Sequence, residues 1–263
     1  MLPILFRSGD FVLASWHVFF VLGAFAGWYG MQSIRSIVLP SLSEGQLDRL
    51  FVALYIAGYF GARIFSIFFE DPFDSVGDFF RGLISFGSMT LYGGIIAVAI
   101  VLCIFVQRKK ISLLHFGALF AAPGLIAIGV GRVGCFLNGD DYGAPVPDQL
   151  QPSWWTVQFP NLGDSIYRYP VQVWEALFSV GLGLLLILLI KKFPQKSLWM
   201  ADAGVLGYTA ARFFLENYRG DERGQFFGSA LSTSQGISVV LAVLWAIYRI
   251  TDARRTKISS GVK

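Results

Sequence analysis

Apolar residues in this chain fall in long runs separated by short polar connections. About 20 consecutive apolar residues are needed to span a bilayer as helix, and seven runs reach that length. They lie near residues 11–30, 50–69, 87–106, 114–137, 170–190, 198–218 and 230–249. The pattern predicts an all-α integral membrane protein, a single membrane domain over residues 1–263 with seven transmembrane helices. The first run is read as a retained helix and not a signal peptide. Met1 to Asp10 holds one Arg and one Asp, and no small-residue cleavage site follows.

The connections alternate in sign. One set carries Arg108, Lys109 and Lys110, then Lys191, Lys192 and Lys196, then Arg249, Arg254, Arg255, Lys257 and Lys263. The other is acidic, with Glu70, Asp71, Asp74 and Asp78, then Asp140, Asp141, Asp148 and Asp164, then Asp221 and Glu222. Lys and Arg stay on the cytoplasmic side, so the N-terminus is expected to be extracytoplasmic and the C-terminus cytoplasmic. Composition agrees: 55% of residues are hydrophobic and 14% charged, against roughly 25% charged in a soluble domain. The longest connection, 138–169, is extracytoplasmic in this reading and long enough to be functional or disordered. Its Trp154-Trp155 pair suits the membrane interface, as does the Phe-rich stretch around Asp71–Arg81. Cys103 and Cys135 differ in depth, so no disulfide is expected.

Ionisable groups in hydrocarbon are costly and need partners or a function. Those read within the runs are Arg63, Arg132, Glu175, Arg212, Glu216 and Arg219. All are expected in the outer half, with the inner half free of charge. Arg212, Glu216 and Arg219 are spaced i, i+4, i+7 and stack on one helical face. Glu216 can neutralise one arginine, leaving another for an anionic ligand; a salt-bridged helix pair sealing the bundle is the alternative.

The fourth run ends Gly129-Val-Gly131-Arg132-Val-Gly134-Cys135-Phe-Leu-Asn138-Gly139-Asp140-Asp141-Tyr142-Gly143. Its glycines let backbone approach backbone or ligand closely. The segment reads as a helix breaking into a polar turn that lines a cavity, where such backbone is tolerated at membrane depth. The third run opens Tyr92-Gly93-Gly94, and His17 follows Trp16 in the first. The fifth opens Tyr169-Pro170-Val-Gln172-Val-Trp-Glu175, with Pro170 suited to a helix start. Gln172 and Glu175 share a face, and Glu175 is expected to hold an arginine in place, with Arg63 the first choice of partner.

Together these motifs resemble the prolipoprotein diacylglyceryl transferase family. The match is strongest over Arg132 to Gly143. Tyr92-Gly-Gly, Tyr169 to Ala176, Arg212 to Arg219 and Ser234-Gln-Gly-Ile support it in the family's order. The resemblance implies transfer of the diacylglyceryl group of phosphatidylglycerol to the lipobox cysteine thiol of preprolipoprotein signal peptides, with release of glycerol phosphate. It implies a multi-pass enzyme of the bacterial cytoplasmic (inner) membrane whose active site faces the outer leaflet. No cofactor, metal or nucleic acid is implied; the partners are membrane lipids and the peptide acceptor. Arg132 and Arg219 match the family's essential arginines and take the phosphate role. Asn138, Gly139, Asp140 and Gly143 shape the headgroup pocket, with Gly93, Gly94, Arg63, Glu175, Arg212 and Glu216 around the substrate.

The family commonly has His where this chain has Tyr92, Tyr where it has His17, and Asn where it has Cys135. A tyrosine is a poor base near neutral pH, so the base is His17, Tyr92 or none. These departures leave open a relative that uses the same lipid donor on another acceptor. A lipid or peptide transporter predicts charge in both leaflets and discontinuous helices, and a retinal-type protein needs a lysine on the seventh helix. Two scattered histidines and two cysteines make no metal site.

Overall fold

A computed structural model of the chain describes residues 1–8, 11–69, 75–84, 90–221, 224–226 and 228–259. The acidic residues Glu70, Asp71, Asp74 and Glu222 lie outside them. The fold is mostly helical. After a two-stranded hairpin, β1 (Ile4–Ser8) and β2 (Phe11–Ala14), come α1 (Ser15–Val38), α2 (Glu44–Phe69), α3 (Val76–Ile84) and α4 (Leu91–Lys109). They are followed by α5 (Leu113–Asn138), α6 (Val171–Lys192), α7 (Ser197–Leu215) and α8 (Thr233–Ser259). Among the described residues, four helices are long and apolar enough to cross a membrane: α2, α5, α6 and residues Thr233–Asp252 of α8. Large apolar side chains point outward along them, among them Phe69, Leu177, Leu188 and Leu244. That is the pattern of helices whose solvent is lipid.

The first helix starts later than expected, at Ser15 instead of residue 11, because the preceding residues pair as strands. Ile4 faces Ala14 and Ser8 faces Phe11 in the antiparallel ladder. Two backbone bonds anchor the hairpin: Leu2 N–H to the Leu137 carbonyl at 3.1 Å, and Ser15 N–H to the Pro3 carbonyl at 2.9 Å.

The chain forms two compact units, Met1–Val38 with Gly117–Lys263, and Leu39–Phe116. In the first, glycine sets the helix spacing. Gly134 lies on Trp16 and Phe19, Gly23 on Ala127, and Gly30 on Pro123, so α1 and α5 run antiparallel in close contact. Gly129 meets Ala176 and Val180 while Gly183 meets Ala122 and Ile126, which seats α6 on the same helix. Small residues are the usual means of such approach between membrane helices.

Near the start of α7, Asp202 accepts bonds from Arg249 Nε at 2.7 Å and Trp245 Nε1 at 2.9 Å on α8. Asp202 falls within the sixth apolar run, at the end opposite Arg212. The expectation that charge is confined to one half is therefore corrected: this pair fixes α7 to α8 at the other end.

In the second unit α2 and α4 pack closely. Gly93 faces the Gly61 carbonyl and Phe65, and Gly94 faces Gly58 and Ala62. Both glycines of the Tyr-Gly-Gly motif thus serve the helix contact. Arg63 is buried and its Nε donates to the Gly82 carbonyl at 2.6 Å, tying α2 to the short helix α3. The backbone of Tyr92 stands in the first turn of α4.

Candidate functional site: a chain of arginines and carboxylates under a small sheet

The helix α5 runs unbroken to Asn138, through Gly129, Gly131 and Gly134. The break comes only at Gly139, where φ is +86°. The earlier glycines stay helical, and two of them, Gly129 and Gly134, are used in helix packing. Gly131 faces open space. The last turns of α5 therefore carry Arg132 rigidly to the loop.

That loop is ordered as a cap. Residues 142–146 are bonded on both sides. Gly220 N–H donates to the Tyr142 carbonyl at 3.0 Å and Ala144 N–H to that of Tyr218 at 2.8 Å. On the other flank Tyr169 N–H donates to the Ala144 carbonyl at 3.1 Å and Val146 N–H to that of Tyr167 at 2.9 Å. Arg168 and Val157 exchange a further pair at 2.8 and 3.1 Å. Gly143 and Gly220 are needed here: a Cβ on Gly220 would meet the Gly143 carbonyl, and one on Gly143 would meet that of Tyr169. Fully buried Phe159 sits between Phe136 and Tyr142. Gln172, buried at the start of α6, donates to the Asp140 carbonyl at 2.7 Å. The tryptophan pair divides. Trp155 stacks on Tyr169 at 5.8 Å, while Trp154 is 96% exposed.

Beneath the cap runs a continuous chain of charge. Arg132 Nε meets Glu175 Oε2 at 2.9 Å, and its Nη1 meets Asp141 Oδ2 at 2.5 Å. The other oxygen of Asp141 takes Arg219 Nη2 at 2.5 Å. Asp221 holds the far edge of Arg219, at 2.8 Å to Nε and 2.9 Å to Nη2. On the inner side, Tyr208 donates its hydroxyl to Glu175 Oε1 at 2.9 Å, with Arg212 Nε 4.0 Å from the same oxygen. Arg212 Nη1 pairs with Glu216 Oε2 at 2.7 Å, and its Nη2 donates to Ser234 Oγ at 3.0 Å. Ser232 Oγ completes Glu216 at 2.7 Å.

Several expectations change on this geometry. Glu175 is held by Arg132 and Tyr208, with Arg212 beside it. Arg212 and Glu216 do pair at i, i+4. Arg219 leaves the stack, because α7 gives way to a 3-10 turn (Glu216–Tyr218) and Arg219 itself is extended at φ −81°, ψ 146°. No arginine of the cluster is left over as an unpaired charge. Burial disfavours the charge on Arg219, but its bonds to Asp221 and the nearby Asp141 more than offset this and raise its pKa above the ordinary arginine value.

Of the expected site residues, Arg132, Glu175, Arg212, Glu216 and Arg219 come together. Asn138 and Asp140 are hydrogen-bonded to each other at the loop's start. Asn161 donates to the Gly139 carbonyl at 3.1 Å and occupies the space a Cβ there would need. His17 stands in the first turn of α1, between the two residues that pack on Gly134, and its ring stacks on Trp16 at 3.7 Å. Both cysteines are free. The residues not foreseen are Asp141, Tyr208, Asp221, Ser232 and Ser234. Asp141 and Ser234 stood in the quoted motifs, Asp221 stood in an acidic connection, and Tyr208 lies one turn before Arg212, on the same face.

The sequence matches the family model "prolipoprotein diacylglyceryl transferase" over residues 3–251. Among relatives, the phosphatidylglycerol–prolipoprotein diacylglyceryl transferase of Azospirillum brasilense is 27% identical over 263 residues, covering 96% of this chain and 94% of that protein. The protein of the same name from Brucella ovis is 29% identical over 268 residues, covering 95% and 92%. The Brucella canis protein matches at the same identity and coverage.

Proposed function

The chain belongs to the prolipoprotein diacylglyceryl transferase family, and on that premise we propose that it transfers the diacylglyceryl group of phosphatidylglycerol to the lipobox cysteine of prolipoproteins. This is the first step of lipoprotein maturation. The thiol sulfur bonds to the glyceryl carbon as that carbon's bond to the phosphate oxygen breaks. The bonding pair leaves with glycerol phosphate, and the thiol proton goes to a base.

One observation carries the reading. Arg132 and Arg219, brought from positions 87 residues apart, close on the two oxygens of one carboxylate at 2.5 Å each. Two guanidinium groups set to share a forked oxyanion are what a phosphodiester headgroup requires. The same pair opposes the negative charge that develops on the leaving phosphate. Glu175 holds Arg132 and Asp221 holds Arg219, while Arg212 and Glu216 pair behind Glu175. Asn138, Gly139, Asp140 and Gly143 form the turn around the headgroup. His17 is the candidate base, with Tyr92 the alternative.

The alternating basic and acidic connections support seven membrane spans in one domain, N-terminus extracytoplasmic and C-terminus cytoplasmic. The site then faces the outer leaflet of the bacterial inner membrane, where lipid and signal peptide both reside.

The test is a transfer assay on the full chain in detergent, with phosphatidylglycerol and a lipobox peptide. Glycerol phosphate release and peptide mass are followed together. Both signals are expected in the wild type and lost in Arg132→Ala and in Arg132→Lys, which keeps the charge but not the fork. Release without a mass gain on the peptide points to another acceptor. No release from folded protein rejects the transferase reading.

A further inference from the structure

The cluster under the cap counts three guanidinium groups, Arg132, Arg212 and Arg219, against four carboxylates, Asp141, Glu175, Glu216 and Asp221. It is already anionic overall. A lipid phosphate arriving there adds further negative charge in a poorly solvated place, so one carboxylate has to give way.

The four are not equally able to move. Glu175 and Glu216 have side chains 1% and 4% exposed, and each is held by an arginine and by a hydroxyl donor. Asp221 sits behind Arg219, with both its oxygens on that one group. Asp141 differs in three respects. Its side chain is 26% exposed, the highest of the four. It stands on the turn past α5, beyond the end of the helix, at a left-handed φ of 60° that aspartate tolerates better than most residues. And its two oxygens are split between the two arginines that the phosphate needs. On the same side Arg219 keeps Nη1 buried without a hydrogen-bond partner, a donor still to be satisfied.

We infer that Asp141 is a resident stand-in for the donor phosphate, a displaceable internal anion that occupies the two-arginine cradle between turnovers. A carboxylate and a phosphodiester both present two oxygens on one atom, and arginine forks accept either. While the site is empty of lipid, Asp141 holds Arg132 and Arg219 at the spacing the headgroup requires. It also sets a threshold. Phosphatidylglycerol brings acyl chains whose burial helps to displace the carboxylate, whereas free glycerol phosphate brings only its charge. The product is therefore expelled when Asp141 returns.

This rests on the phosphatidylglycerol reading and adds to it a selectivity for membrane-held over free phosphate. The variant is Asp141→Asn, of the same shape but uncharged, with Asp141→Ser as a second should the first be unstable. Donor KM, kcat and the inhibition constant of sn-glycerol phosphate are measured beside wild type and Asp221→Asn. In Asp141→Asn the inhibition constant falls at least tenfold, donor KM falls several-fold, and kcat drops as product release slows. Asp221→Asn, which does not open the cradle, shows a smaller change in the inhibition constant. An inhibition constant that stays put or rises, with a higher donor KM, overturns the inference and makes Asp141 a prop. Calorimetric titration of glycerol phosphate into each protein reads the same ratio without turnover. A wild-type chain that transfers nothing thus sinks the donor reading, while the ratio of affinities still decides Asp141.

Discussion

Glu175 Oε2 meets Arg132 Nε at 2.9 Å between α6 and α5, with the glutamate side chain only 1% exposed. A carboxylate buried to that degree is stable only while paired. Removing one partner of such a pair typically costs about 3–5 kcal/mol. Glu175→Ala is therefore expected to lower the melting temperature in detergent and abolish transfer. Tyr208→Phe loses one hydrogen bond to a charged group, worth about 1.5–3 kcal/mol, and is expected to fold with reduced kcat and near-normal donor KM. Scanning calorimetry with donor titration checks both. An Ala variant as stable as wild type would contradict the buried pair.

Two glycine substitutions should part company. A Cβ at Gly143 runs into the Tyr169 carbonyl inside the cap, while Gly181 on α6 has open space around it. Gly143→Ala is expected to lose about 1–3 kcal/mol by overpacking and most of its transfer rate. Gly181→Ala is expected to be neutral or stabilised by up to about 1 kcal/mol through helix propensity. Equal activity in the two variants would show that the cap does not hold the site.

The Asp202–Arg249 pair lies away from the chemistry. Asp202→Ala removes three hydrogen bonds, from Trp245 and from Arg249. It should reduce stability by about 1.5–3 kcal/mol and leave donor KM unchanged. A large KM shift with intact stability would mean that this end of α7 communicates with the lipid.

If His17 accepts the thiol proton, His17→Ala slows transfer near neutral pH and recovers as the pH rises. A free cysteine ionises on its own near pH 8.5, so the base becomes unnecessary there. Rates are compared from pH 6.5 to 9.5 with the same lipobox peptide. A variant as fast as wild type throughout the range removes His17 from the proton path.

The helices could be read from the chain because a bilayer imposes a length and a polarity that few other structures satisfy. The acid–base chain under the cap could be read only as a list of members. Depth put Glu175 and the arginines at one level, but pairing Glu175 with Arg132 takes the seating of α6 on α5, which Gly129 and Gly183 set through space. The adjacent pair Asp140-Asp141 shows the same limit. Which of the two faces the arginines is decided by a left-handed turn at Asp141 that no composition announces. The opening hairpin, by contrast, had a local signal in Gly9-Asp10 between two short apolar runs, although those two residues lie outside the described ones.

The cradle is joined by residues made far apart in time. Asp141, already on Arg132, meets Arg219 through a bond that spans 78 residues, and Gly220 N–H closes on the Tyr142 carbonyl. During synthesis α5 and α6 can be inserted and paired through Arg132 and Glu175 while the headgroup site is still incomplete. The nascent enzyme is thus expected to stay silent towards its lipid at least until α7 and the few residues after it have emerged.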